Sequence, residues 1–74
     1  LSAARFSVYP NPVSNGQLTL QLPNAGLVQV YNGMGVLVLS KQLQSGKQHL
    51  DLSHLAKGLY RVQEGNDAVQ VIIQ

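Results

Sequence analysis

Apolar and polar residues alternate along most of this chain. Residues 17–22 read Gln-Leu-Thr-Leu-Gln-Leu, with Leu18, Leu20 and Leu22 on one side and Gln17, Thr19 and Gln21 on the other. A period of two belongs to a strand with one face in a core and the other in water. Comparable extended runs occupy residues 5–9, 27–31, 36–43 and 47–52, and two more surround Gly65-Asn66 near the end. Between them lie Ser14-Asn15-Gly16, Pro23-Asn24-Ala25-Gly26, Asn32-Gly33-Met34-Gly35 and Ser45-Gly46, all turn-forming combinations. Tyr9-Pro10-Asn11-Pro12-Val13 reads as an extended loop or edge segment, because proline cannot donate to a ladder and holds its predecessor extended. No segment sustains a helical period; residues 53–57 have room for one turn at most. Short strands with turn signals at intervals of about 8–12 residues predict a seven-stranded antiparallel immunoglobulin-like β-sandwich, all-β in class.

Two hairpins allow a register to be predicted. Gly65-Asn66 suits a two-residue turn, which sets Glu64 opposite Asp67, Val62 opposite Val69 and Tyr60 opposite Val71. Tyr60, Val62, Val69, Val71 and Ile73 then share one face, and Arg61, Gln63, Ala68 and Gln70 the other. If residues 32–35 form a four-residue loop, Tyr31 faces Val36, Val30 faces Leu37 and Val28 faces Leu39. Residues 50–62 link the two halves of the pattern. Leu50 and Leu52 end one strand, Ser53 breaks the alternation, Leu55 anchors the connection, and Gly58 restarts an extended run. The spacing of Leu55, Gly58 and Tyr60 is analogous to a tyrosine corner, in which the hydroxyl ties back to the preceding backbone.

With 74 residues the chain is one small domain, and a domain of that size buries only about 60% of its unfolded surface. Cysteine is absent, so neither a disulfide nor a thiolate metal site reinforces the core. Five basic residues against three acidic ones leave a net charge of +2. Arg5, Lys41, Lys47, Lys57 and Arg61 are scattered and not interleaved with aromatics, which argues against nucleic acid as a partner. No apolar stretch approaches the ~18–20 residues of a membrane-spanning helix. Leu1 is not Met, and the first residues lack the regions of a signal peptide. The chain is therefore expected to be a piece of a longer protein, with residues 1–5 as a linker remnant.

Candidate chemistry is sparse. His49, Asp51, Ser53 and His54 combine the residue types of a hydrolytic triad, but a triad is defined by geometry. The strand period puts His49 and Asp51 on a wet face and leaves Ser53 as the small hydroxyl of a turn. A zinc site from His49, Asp51 and His54 lacks a fourth ligand and sulfur, and Asp51, Glu64 and Asp67 have no calcium-loop spacing. No helix follows residues 32–35, so their glycines serve turn geometry and not phosphate binding. Tyr9, Tyr31 and Tyr60 could line a sugar platform only if they shared an exposed face. No enzyme, cofactor, metal site or small-molecule substrate follows from these residues.

The order of motifs carries more than any one of them. Tyr9-Pro10-Asn11-Pro12-Val13, Gly16, Val30-Tyr31-Asn32 with Gly35, Leu50-Asp51-Leu52-Ser53, then Leu55, Gly58, Tyr60 and Val62 before a β-rich end follow in sequence. Over residues 6–74 this set resembles the type A C-terminal sorting domains of cargo proteins of the Bacteroidetes type IX (Por) secretion system. The resemblance implies an address and not a catalyst. Such domains follow a larger cargo into the periplasm, direct it through the outer-membrane translocon, and are usually removed by a sortase-like peptidase. The cargo then stays at the cell surface on anionic lipopolysaccharide or is secreted. Implied partners are the translocon, a shuttle protein and the peptidase.

The family's functional weight, carried over, falls on Gly58, Tyr60 and Val62 and on the tail Val71, Ile72, Ile73 and Gln74. Family tails commonly carry lysines at the positions of Gln70 and Gln74 in this chain. Unpaired edge strands offer backbone groups for docking by strand addition, and equally for a homodimer. The rival readings are a carbohydrate- or protein-binding β-sandwich module of a surface protein and a purely structural adhesion module. A terminal position in an exported precursor, lost on maturation, separates sorting from both.

Overall fold

The computed structural model describes residues 6–74. The linker assigned to residues 1–5, and Arg5 at the start of the first run, lie outside the described residues. Seven strands follow one another: β1 (Ser7–Tyr9), β2 (Gln17–Leu22), β3 (Gly26–Asn32), β4 (Leu37–Leu43), β5 (Gly46–Asp51), β6 (Gly58–Glu64) and β7 (Asp67–Ile73). They form two antiparallel sheets, ordered β1-β2-β5 and β4-β3-β6-β7. The chain crosses between sheets three times, after β2, β4 and β5, which is the Greek-key wiring of an immunoglobulin-like sandwich. In the constant-type arrangement the fourth strand joins the first sheet; in this chain β4 joins the second, leaving a three-stranded sheet against a four-stranded one.

The period of two decides what lies between the sheets. Leu18, Leu20, Leu22 and Leu50 on one side, with Val28, Val30, Val62 and Val71 on the other, are all almost inaccessible to water. Phe6, Val13, Leu43, Leu52, Tyr60 and Ile73 close the ends of this core. Among the described residues no polar or charged side chain is buried. The core is therefore apolar throughout, and each of these aliphatic side chains contributes about 1.5–3 kcal/mol by leaving water.

The terminal hairpin has the expected register, with Glu64 opposite Asp67, Val62 opposite Val69 and Tyr60 opposite Val71. The β3–β4 hairpin does not. Val30 faces Leu39 and Val28 faces Lys41, a slip of two residues from the four-residue loop, with an irregularity between Val30 and Tyr31. Asn32 is the cause. Its Oδ1 accepts the N–H groups of Met34 at 2.9 Å and Val36 at 3.0 Å, while its own N–H donates to the Val36 carbonyl at 2.9 Å. That leaves a three-residue loop, in which Gly35 at φ +83° supplies the left-handed step. Val38 is the extra residue between Leu37, opposite Tyr31, and Leu39, opposite Val30.

Candidate recognition surface

Residues 50–62 set up the corner from which the terminal hairpin starts. The Leu52 N–H donates to the Gly16 carbonyl at 2.7 Å, and the Leu55 N–H donates to the Leu52 carbonyl at 3.0 Å. Leu55 then packs against the core from the crossover. The Tyr60 hydroxyl donates to the Ala56 carbonyl at 2.7 Å, closing the tyrosine corner that the spacing predicts. Gly58 lies between them at φ +149°, a backbone region that a β-branched residue adopts only under strain. A Cβ at Gly58 would meet nothing within 4 Å, so the requirement is conformational and not one of space.

The polar cluster beside this corner is local structure. Asp51 Oδ1 accepts the Ser53 hydroxyl at 2.6 Å and the Ser53 N–H at 3.0 Å, and Gln17 Nε2 reaches it at 3.3 Å. The cap of the crossover is thus the Asp51 carboxylate, with Ser53 as donor. The Ser53 hydroxyl and backbone bonds, helped by the nearby positive character of His54, hold the Asp51 carboxyl below its ordinary value. His49 Nδ1 lies 3.2 Å from Thr19 Oγ1 across the outer face of the three-stranded sheet. Ser53 is engaged with Asp51 and not with a histidine, so the triad geometry is not formed. Among the described residues no three His, Asp or Glu side chains converge to hold a metal ion. The tyrosines do not make a common platform either. Tyr9 is on the outer face of one sheet and Tyr60 in the core, while Tyr31 lies under the Arg61 guanidinium, 4.8 Å from its ring centroid.

The residues that the resemblance singles out divide by exposure. Tyr60, Val62, Val71 and Ile73 point inward and are buried; Gly58, Ile72 and Gln74 are on the surface. Leu59, not singled out by the sequence, pairs with Ile72 on the outer face of the four-stranded sheet, and both side chains are nearly half exposed. The next row across that face is Leu37, Tyr31, Arg61 and Gln70. Met34, 89% exposed, stands over it from the β3–β4 loop and helps line an open depression of about 350 Å³ with Leu59, Arg61 and Gln70. Among the described residues, Tyr9 is the one exposed large apolar side chain that belongs to the other sheet. Alternation could have flagged Leu59 and Ile72, since both occupy positions that the pattern assigns to water.

The outer edge of β7 is not open as expected. Residues 11–13 run beside it in the parallel sense, with Val13 bridged to Ile73 and wholly buried. The Val13 N–H donates to the Ile72 carbonyl at 2.7 Å, and the Gln74 N–H to the Val13 carbonyl at 2.8 Å. Asn11 contributes its side chain, donating from Nδ2 to the Gln70 carbonyl at 2.9 Å and accepting the Ile72 N–H on Oδ1 at 3.1 Å.

Comparison with family models matches residues 7–74 to the secretion system C-terminal sorting domain. The chain belongs to that family. The match takes in all seven strands, so the sandwich, the corner and the terminal hairpin are all parts of the sorting domain. Comparison with curated proteins and with solved structures finds no match. The family is that of the type IX secretion sorting signals, which serve export to the cell surface or beyond and are not enzymes.

Proposed function

We propose that this sorting domain directs its cargo from the periplasm through the outer-membrane translocon, and that the machinery takes hold of the outer face of the four-stranded sheet around Leu59 and Ile72. Membership of the sorting-domain family over residues 7–74 carries the function. The apolar side chains left exposed on that one face support the surface. A signal shared by unrelated cargoes must be a self-contained shape at one end of the chain, and residues 7–74 form such a unit. Exposed apolar area on one sheet face is what a transient protein partner would cover.

The carried-over residues then take two roles. Gly58, Ile72 and Gln74 stand at the surface, while Tyr60, Val62, Val71 and Ile73 act from beneath by fixing the corner and the β6–β7 pair. A shuttle protein and a sortase-like peptidase are the further partners, and removal of the domain with transfer of cargo to anionic lipopolysaccharide is the expected end of the route. The test is to fuse Leu1–Gln74 to a periplasmic reporter in a host with this secretion system. Delivery of the reporter to the surface is expected. A reporter that stays in the periplasm overturns the sorting reading and favours a binding module.

A further inference from the structure

We infer that residues 11–13 are an edge-closing strap that holds the last residues in β7 and prevents strand addition there. Counting the backbone groups along that edge leads to it. In β7 the alternate residues Ala68, Gln70 and Ile72 turn their N–H and C=O groups away from β6, as the period of a strand requires. Such a row is a template on which any extended chain, including a second copy of this one, can pair. The strap occupies it from the Gln70 carbonyl to the Gln74 N–H.

Asn11 is the unusual member. Its carboxamide presents an N–H donor beside a C=O acceptor, as a backbone amide does, and it bonds the carbonyl of Gln70 and the N–H of Ile72 as a neighbouring strand would. Val13 turns its own N–H and C=O toward β7, and two residues earlier in a regular ladder the Asn11 backbone would bond the Gln70 carbonyl and the Ile72 N–H; the side chain makes those two bonds instead. Val13, at 0% exposure, anchors the strap in the core. Among the described residues Ala68 and the Gln70 N–H have no such partner, so only a short stub of the edge remains open. The other three edges lack a strap of this kind among the described residues. β1 is three residues long and runs into Pro10, β4 carries the extra Val38 and Lys41, and β5 alternates Lys47, His49 and Asp51 along its outer face. Short length, irregularity and charge are the usual protections of an edge. The strap gives β7, which is apolar at Val69, Val71, Ile72 and Ile73, its equivalent.

The test needs no secretion machinery, so its failure would leave the sorting reading standing. Amide hydrogen exchange is followed on the 74-residue chain and on Asn11→Ala, with Val62 as internal reference for global opening. In the unsubstituted chain Ile72 and Gln74 should exchange slowly and Ala68 fast; equal rates at the three overturn the proposal. In Asn11→Ala, exchange at Ile72 should rise about tenfold relative to Val62. The variant should also dimerise at concentrations where the parent is monomeric by sedimentation. An unchanged Ile72, or a variant that stays monomeric with Ile72 exposed, contradicts the strap. Should Asn11→Ala be too unstable to study, Asn11→Asp keeps the acceptor and loses the donor, so Ile72 should still exchange more slowly than Ala68; equal rates at the two contradict the strap.

Discussion

The two sheets bury equivalent faces and present very different ones. Inward, β2 and β5 offer leucines where β3, β6 and β7 offer valines, and both sets are sealed from water. Outward, the three-stranded sheet shows Gln17, Thr19, Gln21, Lys47, His49 and Asp51, with cross-strand side-chain bonds such as Thr19 to His49. Tyr9 is its one exposed large apolar side chain among the described residues. The four-stranded sheet shows Leu27, Tyr31, Leu37, Leu59 and Ile72 around Arg61. Packing explains the inner faces of both. It does not explain apolar residues on an outer face, and that asymmetry is what supports the proposal that the four-stranded sheet meets the partner.

The equivalence of the inner faces breaks most readily at the shared core. Leu20→Ala removes a fully buried side chain and should cost about 2–5 kcal/mol in urea unfolding. An effect below about 1 kcal/mol would mean that the two sheets do not close on a common core. Gly58→Val should cost about 1–3 kcal/mol through backbone strain and should impair delivery of a fused cargo. Tyr60→Phe tests the corner alone. It loses the bond to the Ala56 carbonyl, and a destabilisation of about 0.5–1.5 kcal/mol is expected; no loss would show that the hydroxyl is idle.

The smallest effects belong to the polar cluster. His54→Ala should alter neither stability nor delivery, in contrast to Gly58→Val, and similar behaviour of the two in a secretion assay contradicts this division of roles. Asp51 has a depressed carboxyl pKa, so its ionised form is the one the fold favours. Its contribution is complete above the ordinary value of 3.8 and is lost as the pH falls below that through the lower folded value. Asp51→Asn should lower stability slightly at neutral pH and converge with the parent in acid, which flattens the acid limb of a stability-against-pH curve.

Much of this fold was legible in the alternation. The inner faces, the terminal register and the corner follow from Leu18, Leu20 and Leu22, from the two-residue Gly65-Asn66 connection, and from the Leu55, Gly58 and Tyr60 spacing. What was not legible depends on side chains standing in for backbone. Asn32 shortens its hairpin loop by accepting two N–H bonds, which shifts the β3–β4 register against a count of loop residues. Asn11 pairs with residues some sixty positions away, so Pro-Asn-Pro reads as an extended loop or edge segment while the strand it lies against stays hidden in the sequence. The same limit applies to the surface. Alternation marks Leu59 and Ile72 as outward, but only the folded sheet places them side by side next to Met34.

Exchanging polarity on the two outer faces decides whether the apolar one is the surface that the machinery reads. Leu59→Ser with Ile72→Ser, and separately Thr19→Ala with His49→Ala, would be placed in the reporter fusion, and the fraction of reporter at the cell surface measured beside thermal stability. Surface substitutions of this kind should move stability by about 0.5 kcal/mol or less each. The first pair is expected to abolish surface delivery in a folded domain, and the second to leave it unchanged. Normal delivery by the Leu59 and Ile72 variant, with its fold intact, would contradict the assignment of that face.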